Sequence, residues 1–236
     1  MAHIHTQPGQ YDLTVSAYII ALPTTGSSGA SLVSTDSTDP HQPTGSARTA
    51  GSVSQSHPSH PHGQPRSHAP APRVLLHRHK TLGVLIQPGG HVELDETPWQ
   101  TVAHEVREET GYDLDQLSVL QPRGGLTELT GDIVHPQPVV LRSFPFGDLP
   151  HLHTDLAFAF TTVESPRHEV GACESHEFVW LTREELRQLP DYETYPDVKQ
   201  VIDHIFGHVM TTWEQAPATN YRLDPPATRQ LGFDRA

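Results

Sequence analysis

Apolar positions along this chain fall into short strand-like runs, two helical stripes and one long stretch with almost none. "YDLTVSAYII" (11–20) and "RVLLHRH" (73–79) are short, β-branched and apolar, which predicts strands. "PVVLRSF" (138–144), "TDLAFAFTTV" (154–163) and "EFVWL" (177–181) predict three more. Thr97, Pro98 and Gln100 supply a cap, a first-turn proline and a reciprocal partner, and Gly111 a stop, so a helix is predicted over 98–110. Thr182 and Glu185 form a second capping box at "TREELRQL". Val198, Val201, Ile202, Ile205, Val209 and Met210 recur at the 3–4 spacing of a helix over about 197–213. Strands mixed with a few helices, without strict alternation, predict a mixed α/β or α+β domain.

Residues 23–72 break the pattern. They are mostly Ser, Thr, Pro, Gly, Ala and His, with Leu32, Val33 and Val53 the only larger aliphatics, and so bury too little apolar area to offset ordering entropy. A disordered insertion is expected. Its histidines, His41, His57, His60, His62 and His68, read as part of a solvated linker, the alternative being a metal-storing segment. Strand-like runs on both flanks predict two strands of one sheet. Lengthening their connection from about 5 to about 50 residues costs about 2 kcal/mol in loop closure. One interrupted domain is therefore expected, from 1–22 and 73–213, followed by a loosely held tail at 214–236.

Composition narrows the partners. Acidic residues outnumber basic ones 28 to 15 in 236 residues, which disfavours capture of a nucleic-acid polymer. A small phosphate-bearing ligand held by a metal ion stays open. One cysteine, Cys173, excludes an internal disulfide and fits a reducing compartment. No secretory signal pattern opens the chain, and no apolar run is long enough to span a bilayer, so a soluble, cytoplasmic protein is expected with no membrane partner.

The 98–110 helix carries the candidate chemistry. At 100° per residue, Glu109 lies about 40° and Glu108 about 60° from Glu105, on opposite sides of it. Trp99, Val102, Ala103 and Val106 occupy the neighbouring arc, which packs on the sheet. Three carboxylates thus form one ridge at the edge of the core. Exposed like charges cost only tenths of a kcal/mol, about 0.2–0.5 per pair, so solubility alone would permit them. A second candidate lies in "HLHTDLAFAF", where period 2 places His151, His153 and Asp155 on one strand face and Leu156, Phe158 and Phe160 on the other. Arg78 and Lys80 are candidates for phosphate oxygens.

From Gly90 the residues fit the pattern G-x5-E-x7-R-E-U-x-E-E-x-G-U, with U bulky and apolar. Gly90, Glu96, Glu105, Val106, Glu108, Glu109, Gly111 and Tyr112 hold its positions. At about 7% usage for Gly or Glu, six such matches arise by chance at about 10⁻⁷ per start point. The stretch resembles the Nudix box, and the chain is identified as a member of the Nudix family. The resemblance implies an α/β/α sandwich with a mixed sheet. It also implies a hydrolase that splits the pyrophosphate bond of a nucleoside diphosphate linked to another moiety, by attack of metal-activated water on phosphorus. Mg²⁺, with Mn²⁺ a substitute, would be held by Glu105, Glu108, Glu109 and the carbonyl of Gly90 or Gly89. Glu105, or a later-loop carboxylate such as Glu174 or Glu177, would take the proton from water.

His104 stands where the family has an arginine that holds the catalytic glutamate and the first glutamate of the box, here Glu96. Histidine can still donate a hydrogen bond within the ridge, and Arg107 is a candidate for the missing charge. The substitution keeps alive a second reading, a Nudix-fold domain that binds such a nucleotide without cleaving it. "GGLTELT" after the box lacks the proline that the resemblance associates with ADP-ribose cleavage.

Overall fold

β-branched and aromatic residues in the first run form β1 (Tyr11–Ala21), and the run after the insertion forms β2 (Arg73–Arg78). This computed structural model describes residues 11–24, 70–130, 132–145 and 152–224. Every element below lies in one compact unit, Met1–Pro23 with Pro70–Ala236. The disorder expected for 23–72 and its five histidines lies outside the described residues, apart from the ends of that segment, and so does His151.

β1 and β2 are hydrogen-bonded neighbours, antiparallel, with Ala21 opposite Arg73 where the insertion leaves and returns. β1 also runs parallel to β7 (Leu152–Thr162) along its whole length, from Tyr11 opposite Leu152 to Ala21 opposite Thr162. Around this pair lie β3 (Leu85–Ile86), β4 (Gly89–His91), β5 (Ser118–Gln121), β6 (Val140–Pro145), β8 (Phe178–Thr182) and β9 (Glu214–Pro217), all antiparallel to their partners. The sheet is mixed, as expected.

Helices cover both faces, which explains why residues 17–21 of β1 and 156–160 of β7 are continuously apolar. α1 (Pro98–Thr110) buries Trp99, Val102 and Val106 against Val15, Ala17, Ile19, Phe158 and Phe160. On the other face, α3 (Pro196–His204), continued by a π turn over Ile205–Val209, buries Val198, Val201, Ile202, Ile205 and Val209. These pack against Tyr18, Ile20, Val74, Leu76, Ala157 and Ala159. The short α2 (Arg183–Gln188) starts at the predicted Thr182–Glu185 box. The layers are α/β/α.

The tail differs from expectation. Glu214–Pro217 pairs with β5 as β9, and Tyr221 is buried against the Trp99 ring, whose Nε1 donates to its carbonyl. "EQAPATNY" has no apolar period, and its anchors are distant in sequence, so no local signal marks it as ordered. Residues 225–236 lie outside the described residues.

Candidate active site

Local signals set α1 as predicted. Thr97 Oγ1 accepts from the Gln100 N–H, Gln100 Oε1 accepts from the Thr97 N–H, and Gly111 ends the helix at φ 76°. The turn also docks a distant loop. Gly111 O accepts from the N–H groups of Arg167 and His168, and Glu108 O accepts from the Gly171 N–H at 2.7 Å. These bonds satisfy carbonyls that a helix end leaves without intrahelical partners. They also bring the 171–176 loop, and Glu174 with it, over the carboxylate ridge.

β4 places the paired glycines beneath that ridge. Val15 lies opposite Gly90 and Ser16 opposite Gly89. The Gly89 N–H donates to Glu109 Oε2 at 2.7 Å. A Cβ on Gly90 would come within 2.1 Å of Glu105 Oε1, so the carboxylate occupies the space a side chain would need. Glu109 is only 6% exposed, with His77 Nε2 3.8 Å from its Oε1. Glu108 stays at the more open side of the ridge.

Electrostatics follow from this crowding. Burial pushes the Glu105 pKa up to about 7. His104 opposes the rise, while the charges of Glu174, Glu108 and Glu96 add to it. Burial, then the Glu105 charge, pushes Glu109 well above the usual carboxylate range, against the Gly89 N–H that favours its ionised form. Burial holds His77 down at about 4, so near neutrality it is an uncharged imidazole beside Glu109.

His104 does what the substitution left open. Nδ1 lies 3.3 Å from Glu96 Oε1 and Nε2 3.1 Å from Glu108 Oε1, so one ring links the first glutamate of the box to the ridge. Partial burial lowers its pKa, but the Glu108 hydrogen bond and the charges of Glu108, Glu96 and Glu105 win, and the net direction is up. Thr101 Oγ1 donates to Glu96 Oε2 and fixes the other end. Arg107 does not supply the missing charge, because it pairs with Asp113 at 2.6 Å, away from the ridge.

Residues 68–204, more than half of the chain, match the family model described as the NUDIX domain. This chain belongs to the Nudix family. The expected fold and the expected Nudix enzyme are met together. Among solved structures, a NUDIX-family hydrolase from Clostridium perfringens aligns at 17% identity and TM-score 0.51, over 82% of this chain and 97% of that one. A NUDIX hydrolase from Nitrosomonas europaea aligns at 15% identity and TM-score 0.47, over 89% and 95%. At such identities the first likeness bears on the fold alone. No curated protein matches the chain.

Within this Nudix domain the other sequence candidates separate. Glu174, half-buried, faces Glu105 and Glu109, whereas Glu177 is exposed and pairs with Arg78 at 3.2 Å. Arg78 also donates to Gly83 O at 2.7 Å and to Glu193 at 2.8 Å. Its fork is engaged within the protein. Lys80 donates to the Cys173 carbonyl and so tethers the Glu174 loop. His153 and Asp155 lie on the sheet face away from α1, at 5% and 2% exposure, and do not meet the ridge. Asp155 accepts from Thr14, Ser16 and Arg142, and burial still raises its pKa despite these partners.

Sequence reasoning missed His77, Asp12, His91 and Arg142. A signal existed for one group: Asp12, Thr14 and Ser16 alternate as polar residues inside an otherwise apolar strand, which marks a buried polar face. His77 carried no signal, because its place beside Glu109 depends on sheet register.

Proposed function

We propose that the protein is a Mg²⁺-dependent hydrolase that cleaves the pyrophosphate bond of a nucleoside diphosphate linked to another moiety, releasing two phosphate-bearing products. The observation that carries this reading is the pair of carboxyls packed on the paired glycines, half-buried Glu105 over Gly90 and buried Glu109 on the Gly89 N–H, with Glu108 and Glu174 beside them. Burial and mutual repulsion make that cluster costly as anions unless a cation joins it.

The donor set fits Mg²⁺. It is all oxygen, Gly89 and Gly90 put no side chain between their backbone and the ridge, and the carboxylates crowd one side, which suits an ion that keeps several waters. Glu105, Glu108 and Glu109, with the carbonyl of Gly90 or Gly89, would hold it. When bound, the ion neutralises phosphate charge and acidifies water. Glu105 would also take the proton of the attacking water. Glu174 is the later-loop carboxylate placed to share that work, and Glu177 is not. Through Glu96 and Glu108, His104 holds the ridge in one orientation. A cavity of about 400 Å³ at the C-terminal end of α1, lined by Leu75, Thr110, Tyr112, Phe178 and Trp180 together with His168, Glu169 and His176, offers largely apolar surface to part of a substrate.

The test is a panel of nucleoside diphosphate derivatives assayed with Mg²⁺, comparing the wild type with Glu108→Gln and Glu109→Gln. Turnover of at least one compound, falling at least about 100-fold in both variants, is expected. Tight binding with no turnover would favour a regulatory Nudix domain. Activity that survives both substitutions would contradict the metal assignment.

A further inference from the structure

On the sheet face away from α1, three strands bring two imidazoles and a carboxylate to one point. Asp12 of β1 stands opposite His153 of β7, and His91 enters from β4 opposite Thr14. Asp12 Oδ2 lies 3.8 Å from His153 Nε2 and 4.0 Å from His91 Nε2. One nitrogen or oxygen from each residue lies within 4.8 Å of the other two. The imidazole rings cross at 81° with centroids 4.9 Å apart, so they meet edge to face while both Nε2 atoms stay near the carboxylate. Asp12 and His153 are buried and His91 is half-buried. Phe144 packs against the His153 ring at 61°, with centroids 5.6 Å apart.

Neighbours hold these side chains on rigid strands rather than loops. Thr14 and Asp155, one register step along, are already bonded to each other, with Ser16 and Arg142 completing that layer. Ligand atoms around a tetrahedral ion with bonds of about 2.0 Å stand about 3.3 Å apart, so the Asp12–His distances need to close by less than about 1 Å.

From this geometry we infer that Asp12, His91 and His153 form a metal site for a borderline divalent transition-metal cation such as Zn²⁺. Two imidazoles with one carboxylate suit such ions, whereas Mg²⁺ prefers the oxygen-only ridge. Three protein ligands leave a further coordination position for water or a ligand atom. The bound ion ties β1, β4 and β7 together and thereby fixes the strand that carries Gly89 and Gly90. Donors, sheet face and metal preference all differ from those of the glutamate ridge, so this site stands or falls independently of the proposed hydrolysis.

The test strips the full chain with a chelator and re-exposes it to Zn²⁺ in excess Mg²⁺. Zinc retained after desalting is counted in the wild type, His91→Ala, His153→Ala and Glu108→Gln. Histidines of the insertion are the same in all four. The wild type and Glu108→Gln are expected to keep one more zinc per chain than either histidine variant, whose affinity falls by at least about tenfold. Equal zinc in all four chains overturns the site, and so does loss of that zinc in Glu108→Gln. Should His153→Ala fail to fold, Co²⁺ absorption in His91→Gln decides. A visible band lost from that variant supports the site, and an unchanged band overturns it.

Discussion

His104 shows how one side chain can bridge two carboxylates. An arginine there would be longer and permanently charged, yet the imidazole touches Glu96 with one nitrogen and Glu108 with the other. Because the net direction of its pKa is upward, the ring gains positive character where the ridge is most negative. His104→Ala is expected to lower kcat by about 10- to 100-fold with little change in KM, as expected for a group that orients a metal ligand. His104→Arg should restore or exceed wild-type turnover in the same assay. A collapse in His104→Arg would mean that the imidazole has a duty of its own.

At the scale of elements, the strand–loop–helix unit from β4 to α1 depends on two glycines for different reasons. A Cβ at Gly89 would lie 2.1 Å from the backbone oxygen of Val15, where φ is +152°, so Gly89→Ala must disturb β1–β4 pairing itself. A Cβ at Gly90 would lie 2.1 Å from Glu105 Oε1, the mobile end of a side chain. Thermal melts and kinetics on both variants should therefore diverge. Gly89→Ala loses stability and activity together, and Gly90→Ala keeps its melting temperature while losing metal-dependent turnover. α1, its caps and the clustering of its three carboxylates were legible in the sequence because the spacings that set them lie within four residues. The Glu174 loop was legible only as a choice between two glutamates. Three-dimensional register decided it, through Gly171 bonded to Glu108 and Arg78 paired with Glu177. β9 and the meeting of Asp12 and His91 with His153 were hidden for the same reason.

The whole molecule accommodates its insertion at a register that closes neatly, Ala21 opposite Arg73, so the two-strand pairing could be read from flanking patterns alone. What the sequence could not convey is how the core forces titratable groups to share it. The Glu105 carboxyl has a raised pKa in the folded state, so its stabilising contribution is complete below about pH 4.5 and is lost as pH rises through about 7, and the raised pKa of Glu109 acts in the same direction. His77 acts the other way: its contribution is present above pH 6.5 and lost as pH falls through about 4. Above pH 6.5 the carboxyls titrate, and His104, whose pKa its glutamate partners raise, also loses its proton there, which lowers stability in the same direction. Chelator-treated protein should thus melt at progressively lower temperature from pH 6.5 to 8. Saturating Mg²⁺ should reduce that fall, and Glu105→Gln should flatten it. A melting temperature independent of pH across that window in the metal-free wild type would contradict the burial argument.

The most direct measurement is a titration of chelator-stripped full chain with Mn²⁺, followed by electron paramagnetic resonance, in the wild type, Glu105→Gln and Glu109→Gln. Asp12, His91 and His153 are common to all three chains, so any difference reports the ridge. Binding in the wild type that weakens by at least about tenfold in both variants is the predicted result. Indistinguishable Mn²⁺ binding in all three chains would contradict the claim that these carboxylates exist to hold a divalent cation.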